Sequence, residues 1–339
     1  MITTLLRALP QAARKGGGRL APAAALAFVL ALATAAAAVP ARAAGYPEQP
    51  IHIIVPFGPG GLADISTRLV AQKLSDKFGD RTVIENRPGA GGVLAATAAL
   101  KAPHDGYTVI VFSNGTAISR SLFKLPYDPA KDFVPVSTMA YFDLILLTKA
   151  HGPLHSLADV LAQSKKRQLV LGTINPGSTQ NLSAQLFKST TKLNATVVPF
   201  KTSADVISGL IRGDVDVAFE SYAAVKGYID AGKIVPIAAT GKHRSSWLPK
   251  VPTVQESGIH YEVTGWNAIF APSGTPPEAV KVLNHQLNEV LRMPEVQQRF
   301  GQLGTEAGGS TPAQIGARLQ SDTEKWAAVI KQAGIPSLQ

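Results

Sequence analysis

The chain has no cysteine among its 339 residues. This excludes disulfides, thiolate metal sites, cysteine nucleophiles and a lipid-modified N-terminal cysteine. Such a chain relies on an apolar core, and this length with 45% hydrophobic and 17% charged residues can supply one. Catalytic patterns are scarce too. His52, His104, His151, His155, His243, His260 and His285 are scattered, and neither a His-Glu-x-x-His metal motif nor a Gly-x-Ser-x-Gly elbow occurs. Asp214 and Asp216 flank a predicted strand and read as solvated or anchoring groups, not as a paired acid and base. No basic run exceeds Lys165-Lys166-Arg167, and no basic patch is interleaved with aromatics, so the usual nucleic-acid footprint is missing. No repeat of solenoid type is visible. After the first 43 residues no uncharged run is long enough to span a bilayer, so a soluble mature protein is expected.

What is present begins with a leader. Arg7, Arg14, Lys15 and Arg19 precede an Ala/Leu/Val-rich run from about Ala21 to Val39. Pro40 breaks that run, and Ala41-Arg42-Ala43 matches a small-residue cleavage site. The pattern predicts a cleavable secretion signal over residues 1–43 and an exported product. The competing reading is a membrane anchor, but the run is mostly alanine, which contributes little to insertion. Cleavage removes five basic and no acidic residues, taking the net charge from +10 to +5. A modest positive field suits an anionic small molecule.

Strands and helices then alternate. Ile51–Val55 is an apolar run, as in a strand buried on both faces. A helical pattern runs from Asp64 to Phe78, and further strands are predicted at Thr82–Glu85 and Tyr107–Phe112. Each of these three strands ends in a small-residue polar turn, the signature of βαβ units whose ligands sit at the carboxyl ends of the strands. Two strands, Val134–Thr138 and Leu144–Thr148, are expected to leave the first sheet. A second unit follows, with strands at Leu169–Thr173, Thr196–Phe200, Val215–Phe219 and Val235–Thr240, and helices at Asn181–Thr190 and Ser203–Arg212. A helix from about Glu278 to Leu291, capped by Thr275, and an amphipathic tail from Thr311 to Gln332 complete the chain. The expected organisation is α/β with two lobes, residues 44–147 plus 267–339 and residues 148–266. Two chain crossings would let them close on a ligand.

The candidate site starts at Val55-Pro56-Phe57-Gly58-Pro59-Gly60-Gly61, where a strand meets a helix N-terminus and backbone N–H groups converge as an anion cradle. The same glycines fit a dinucleotide pattern, Gly58-x-Gly60-x-x-Ala63, with Glu85 at a plausible distance. Pro59 removes a donor there, and export separates the protein from nicotinamide pools. A plain tight turn is the third reading. Asp64 either touches ligand or, by the stronger reading, holds backbone donors and pins the loop. Phe57 either stacks on ligand or covers the hinge. Ser113-Asn114 and Ser178-Thr179 read as helix caps, as binding groups, or as both. Gly89 to Gly92 serve packing or binding, and Trp266 the core or the cleft rim.

Taken together, the ordered motifs are specific. Pro47-x-x-Pro50-Ile51 leads into Val55-Pro56-Phe57-x-Pro59-Gly60-Gly61-x-x-Asp64. Glu85-Asn86-x-x-Gly89-Ala90-Gly91-Gly92 and Pro103-x-Asp105-Gly106-Tyr107-Thr108 follow, then Asp132-Phe133-x-Pro135-Val136. Gly213-Asp214-Val215-Asp216 and Val251-Pro252-Thr253-x-x-Glu256-x-Gly258 complete the set. In this order and spacing the chain resembles, over essentially its whole mature length, the Bug family of periplasmic solute-binding proteins. These are the receptors of tripartite tricarboxylate transporters.

The resemblance implies a type II, Venus-flytrap binding fold and no enzymatic activity, cofactor or metal. It also implies a small organic anion as ligand: a di- or tricarboxylate, an acidic amino acid or an aromatic acid. Membrane permease subunits would be the protein partner, with a monomer as the default state. The family's contacts fall here on Phe57, Pro59, Gly60, Gly61, Ser113, Asn114 and Thr116 of the first lobe. In the second they fall on Asn175, Ser178, Thr179, Gln180, Phe200 and Glu220. Three positions depart from the family's frequent choices: Asn181 for His, Thr202 for Gly, and Glu220 for Asp. Glu220, one methylene longer, either shrinks the pocket or meets a ligand amine. A signalling receptor and an exported carboxylate-processing enzyme are the competing functions.

Overall fold

The computed structural model describes residues 46–79, 82–245, 247–332 and 334–335. The secretion signal expected over residues 1–43 lies outside the described residues. The first sheet is built from β1 (Ile51–Val55), β2 (Thr82–Asn86) and β3 (Thr108–Ser113), with β1 parallel to both neighbours. Between them run α1 (Leu62–Phe78) and α2 (Val93–Lys101). A third helix, α3 (Asn114–Leu122), leaves β3 directly. Sequence pattern reads only a polar turn there. Ser113 caps the helix: its side chain accepts from Gly115 N–H at 3.0 Å, and Thr116 Oγ1 accepts from Ser113 N–H at 3.3 Å.

β4 runs unbroken from Phe133 to Lys149. Two separate strands were expected, but Met139-Ala140-Tyr141-Phe142-Asp143 contains no breaker, and the extended chain continues through it. Its first part, Phe133–Asp143, pairs antiparallel with β9 (Thr264–Pro272). Its second part, Leu144–Lys149, pairs with β7 (Val217–Ser221) and β8 (Ile234–Ala239). One strand therefore serves two sheets. The second sheet is completed by β5 (Leu169–Ile174) and β6 (Ala195–Phe200), parallel to each other, and β5 is parallel to β7. Its helices are α4 (Leu157–Ser164), α5 (Thr179–Thr191), α6 (Ser203–Arg212) and α7 (Tyr222–Asp230).

The chain passes to the second sheet in β4 and returns between β8 and β9. Thr240 ties the two passages together. Its Oγ1 accepts from Leu144 N–H at 2.9 Å and donates to the Val263 carbonyl at 2.6 Å. Beyond β9 come α8 (Pro277–Arg292), α9 (Pro294–Gln302), the short β10 (Glu306–Ala307) on β4, and α10 (Pro312–Gln332). Thr275, expected to cap α8, instead donates its hydroxyl to the Pro272 carbonyl, and Pro276 stands at the cap. Proline at a helix start lacks only a hydrogen that has no partner there.

Apolar packing follows the layers. Val55, Val70, Leu74, Val111, Leu287 and Phe300 fill the space between one face of the first sheet and its helices. A second cluster, with Phe112, Ile118, Leu146, Phe219, Trp266 and Trp326, extends under both sheets. Trp266 belongs to this core, fully buried, and its indole Nε1–H donates to Asp322 of α10 at 2.6 Å. Among the described residues no helix is long and apolar enough to cross a membrane.

Candidate functional site

The loop between β1 and α1 is shaped by a carboxylate. Asp64 Oδ2 accepts from Gly60 N–H at 3.0 Å, while Oδ1 accepts from Arg68 Nε and Asn86 Nδ2, both at 2.9 Å. Asn86 Nδ2 also donates to the Phe57 carbonyl at 3.0 Å. Burial pushes the Asp64 carboxyl up, but these hydrogen bonds from Arg68, Gly60 and Asn86 outweigh it and hold the group below its ordinary value. Gly60 sits at φ 82°, a left-handed conformation that favours glycine. The loop then delivers Gly61 as the N-cap of α1, with no side chain capping it. The leading N–H groups of that helix have no intrahelical partner.

A second helix start faces the first. Asn175 N–H donates to the Phe200 carbonyl and Ser178 N–H to the Asn175 carbonyl, which folds the turn between β5 and α5. The Ser178 hydroxyl accepts from Asn181 N–H and donates to the Ile174 carbonyl, both at 3.0 Å. Thr179 and Gln180, at the head of α5, keep N–H groups that the helix itself does not satisfy.

Two small hollows lie where these turns meet. One, of about 20 Å³, is bordered by Phe57, Gly61 and Leu62 from the first sheet's loop and by Thr179 and Gln180 from α5, with Asn267 of β9. The other, of about 10 Å³, lies against Phe57, Ser113, Thr116, Asn175 and Ser178. Each has room for about one water molecule. Neither is lined by a lysine or an arginine. The larger hollow is thus a neutral space at which two helix N-termini converge, and helix N-termini favour anions.

The loops of the two sheets touch around this point. A β-carbon on Gly58 would fall 2.9 Å from the Thr202 methyl, one on Gly115 2.9 Å from the Gly177 carbonyl oxygen, and one on Gly61 3.4 Å from Ser203 Oγ. Just behind lies Glu220, fully buried near the end of β7. Its Oε2 accepts from Ser221 N–H at 3.0 Å and from Gln180 Nε2 at 3.3 Å. Its Oε1 has no hydrogen-bond partner, and neither have Ser203 Oγ, Ser221 Oγ and Asn267 Nδ2. Burial pushes the Glu220 carboxyl above its ordinary value, opposed by the Ser203 hydroxyl, which is close by but outside hydrogen-bond geometry, and by the hydrogen bonds from Ser221 N–H and Gln180.

The sequence-derived candidates therefore separate into groups. Phe57, Gly61, Ser113, Thr116, Asn175, Ser178, Thr179 and Gln180 border the two hollows. Glu220 backs onto the larger of them through Gln180. Pro59 and Gly60 are exposed, and the Gly60 N–H is already engaged by Asp64. Asn114 is buried and engaged at both ends, accepting from Trp266 N–H at 2.8 Å and donating to the Thr264 carbonyl at 2.9 Å. Phe200 packs near Gly209 and borders neither hollow. Of the departures from the resembled family, Asn181 donates to Thr173 Oγ1 at 3.1 Å, and Thr202 caps α6. His151 and His155 stand four apart but precede α4 in a Gly-Pro turn. Among the described residues no group of three or more potential ligands could hold a metal ion.

Sequence reasoning missed Ser203, Ser221 and Asn267. Asn267 carried a signal, being the one polar side chain in the run Trp266-Asn267-Ala268-Ile269-Phe270. Ser203 and Ser221 carried none, since their unpaired hydroxyls arise from tertiary packing.

These features define a binding protein of the α/β, type II class, with helix N-termini from two sheets aimed at one point. A family model described as the tripartite tricarboxylate transporter family receptor, TctC, matches residues 66–335. The chain belongs to that family, the Bug or TctC receptors, which are periplasmic solute-binding receptors and not enzymes. BugT of Bordetella pertussis is 34% identical over 309 residues, covering 89% of this chain and 95% of the relative. A structure of R. palustris Rpa4515 with adipate superposes with a TM-score of 0.83 at 35% identity, covering 86% of this chain and all of that one. MatC of Rhodopseudomonas palustris, solved with malate, gives a TM-score of 0.80 at 30% identity, covering 84% and 100%.

Proposed function

We propose that this receptor captures one organic carboxylate between its two sheets and delivers it to the permease subunits of a tripartite tricarboxylate transporter. The observation that carries the reading is the neutral hollow bordered by Gly61, Leu62, Thr179 and Gln180, where two helix starts meet. An anion there meets N–H donors instead of cations. Helix termini contribute roughly 0.3–2 kcal/mol to such an anion. Charge-assisted hydrogen bonds add about 1.5–3 kcal/mol each. Three or four of them, after ordering costs, reach micromolar affinity, about −8 kcal/mol. Adipate and malate in the structures of two relatives support the ligand class.

The hollow is too small for such a molecule, so the lobes must part to admit it. We assign one lobe to residues 44–147 plus 267–339 and the other to residues 148–266, with movement at β4 and around Thr240. Phe57, which borders both hollows, covers the bound molecule. Residues 1–43 direct export, and the mature chain acts in the periplasm as a monomer. The test is a thermal-shift screen of the purified protein against mono-, di- and tricarboxylates and acidic amino acids, with recovery of the ligand. The reading expects a rise in melting temperature with one ligand class and chemically unchanged ligand. A converted product would make the protein an enzyme. Unimpaired uptake of the ligand after gene deletion would remove the transport role.

A further inference from the structure

We propose that Glu220 meets the bound anion as a neutral carboxylic acid, donating from Oε1, so that ligand capture takes up a proton. This rests on the carboxylate-receptor reading above and names the chemistry of one end of that site.

The geometry supplies three arguments. First, Glu220 lies in a strand whose five residues, Val217–Ser221, are all buried, and among the described residues no charged group acts on it. The groups that the structure places against it are neutral: the Gln180 amide from α5, the Ser203 side chain from α6, the Ser221 backbone N–H of its own strand and Ile145 across on β4. A carboxylate taken out of water without a counter-charge is strongly disfavoured, and the group keeps its proton instead. Second, the two oxygens are not equivalent. Oε2 receives the Ser221 N–H, a fixed donor, and the Gln180 amide. That leaves the proton to Oε1, which has no partner. Third, the unpaired groups point to the interface. Ser203 Oγ, also unpaired, lies 3.4 Å from where a Gly61 β-carbon would sit, on the opposing loop. Gln180 joins Glu220 to the larger hollow, which Asn267, with its unpaired Nδ2, also borders.

An O–H and an N–H donor without partners, beside two helix N-termini, suit a carboxylate oxygen and not an ammonium. Once the lobes part and water reaches Glu220, it ionises in the ordinary carboxylate range. Closing on an anion then requires a proton. Affinity should fall as pH rises, by up to about tenfold per unit while the free form is ionised and the bound form is not.

The experiment is isothermal titration calorimetry of the full receptor with succinate, malate, adipate and aspartate at pH 7. Two buffers of different ionisation enthalpy are used, and the titration is repeated from pH 6 to pH 8. Proton uptake is read at about pH 7 and above, where the carboxyls of the free ligands are essentially fully ionised. The inference expects uptake approaching one proton per anion bound and the stated loss of affinity with pH. In Glu220→Gln, checked for folding by its melting curve, uptake should fall to near zero and the pH slope should flatten. Binding by the wild type without proton uptake overturns the inference, and that result needs no variant. A slope retained in Glu220→Gln does so as well. Aspartate bound without uptake and lost in Glu220→Gln would make the group an ionised partner for an ammonium, which also overturns it. If none of the probes binds at any pH, the carboxylate reading itself fails and this inference falls with it.

Discussion

The carbonyl oxygen of Gly177 lies 2.9 Å from the position that a β-carbon on Gly115 would occupy. One residue opens α3 beneath the first sheet, and the other turns the chain into α5 beneath the second. Backbone meets backbone, so neither side can swing away as a flexible side chain would. Gly115→Val should hold these loops apart while leaving each sheet intact. Ligand affinity should fall at least about tenfold, a change of roughly 1.4 kcal/mol. Calorimetry measures the loss, and small-angle scattering should show reduced compaction on ligand addition. Wild-type affinity in a folded variant would show that this contact has no part in closure.

Asp64 gathers donors from three places: the Gly60 backbone, Arg68 of α1 and Asn86 of β2. Asp64→Ala leaves the Gly60 N–H without its acceptor and removes one of the two acceptors of Asn86 Nδ2. The loss should be roughly 1–3 kcal/mol in urea unfolding. The carboxyl sits below its ordinary value when folded, so its stabilisation is complete above the ordinary carboxylate range and is lost as pH falls through the folded value. The difference between wild type and Asp64→Ala should therefore shrink in acid. A difference that stays constant with pH would contradict the role given to these hydrogen bonds.

Asp143 titrates in the opposite sense. It stands where β4 changes partners, opposite Thr264, with Leu144 already opposite Ser221. Burial, reinforced by the negative charge of Glu262, pushes its carboxyl up from 3.8 to about 6. The folded chain therefore keeps a proton that the unfolded chain has released, and the stabilisation, present below the unfolded value, is lost as pH rises through about 6. Asp143→Asn should be more stable than wild type above pH 7, by on the order of 3 kcal/mol, and equal to it in acid below both values. Thermal melts across pH check this. Gly241 belongs to the same site, because any β-carbon there would collide with the Asp143 carboxylate.

The parts legible in the sequence are those governed by local chemistry. Helix α6 occupies Ser203–Arg212 as read from the pattern, because Thr202 caps its start and left-handed Gly213 ends it. Helix α5 begins two residues before its expected start, since the Ser178 cap and not the apolar periodicity sets the boundary. The strand read at Val215–Phe219 forms at Val217–Ser221. Asp216 N–H bonds the Val170 carbonyl, its carboxylate pairs with Arg167, and Val217 takes its register from Leu171. None of those partners is near in sequence. The continuity of β4 was hidden for the same reason, as its two parts are held by strands more than seventy residues downstream.

The candidate site shows the same division. The turns at Gly61 and Ser178 were readable as helix starts, and they do border the hollows. That Asn114 is consumed in tying α3 to β9, and that the Gly60 N–H turns to Asp64, depended on side-chain geometry no spacing reveals. The isolation of Glu220 is likewise a product of packing from four directions.

The central claim is that a neutral cradle of backbone donors between two sheets binds an organic carboxylate. The most direct measurement is calorimetric titration of the purified receptor with dicarboxylates, followed by mass spectrometry of the released ligand. The account predicts saturable binding of one anion per chain, with the ligand recovered intact. Absence of binding by every carboxylate, or recovery of a chemically altered product, would contradict it.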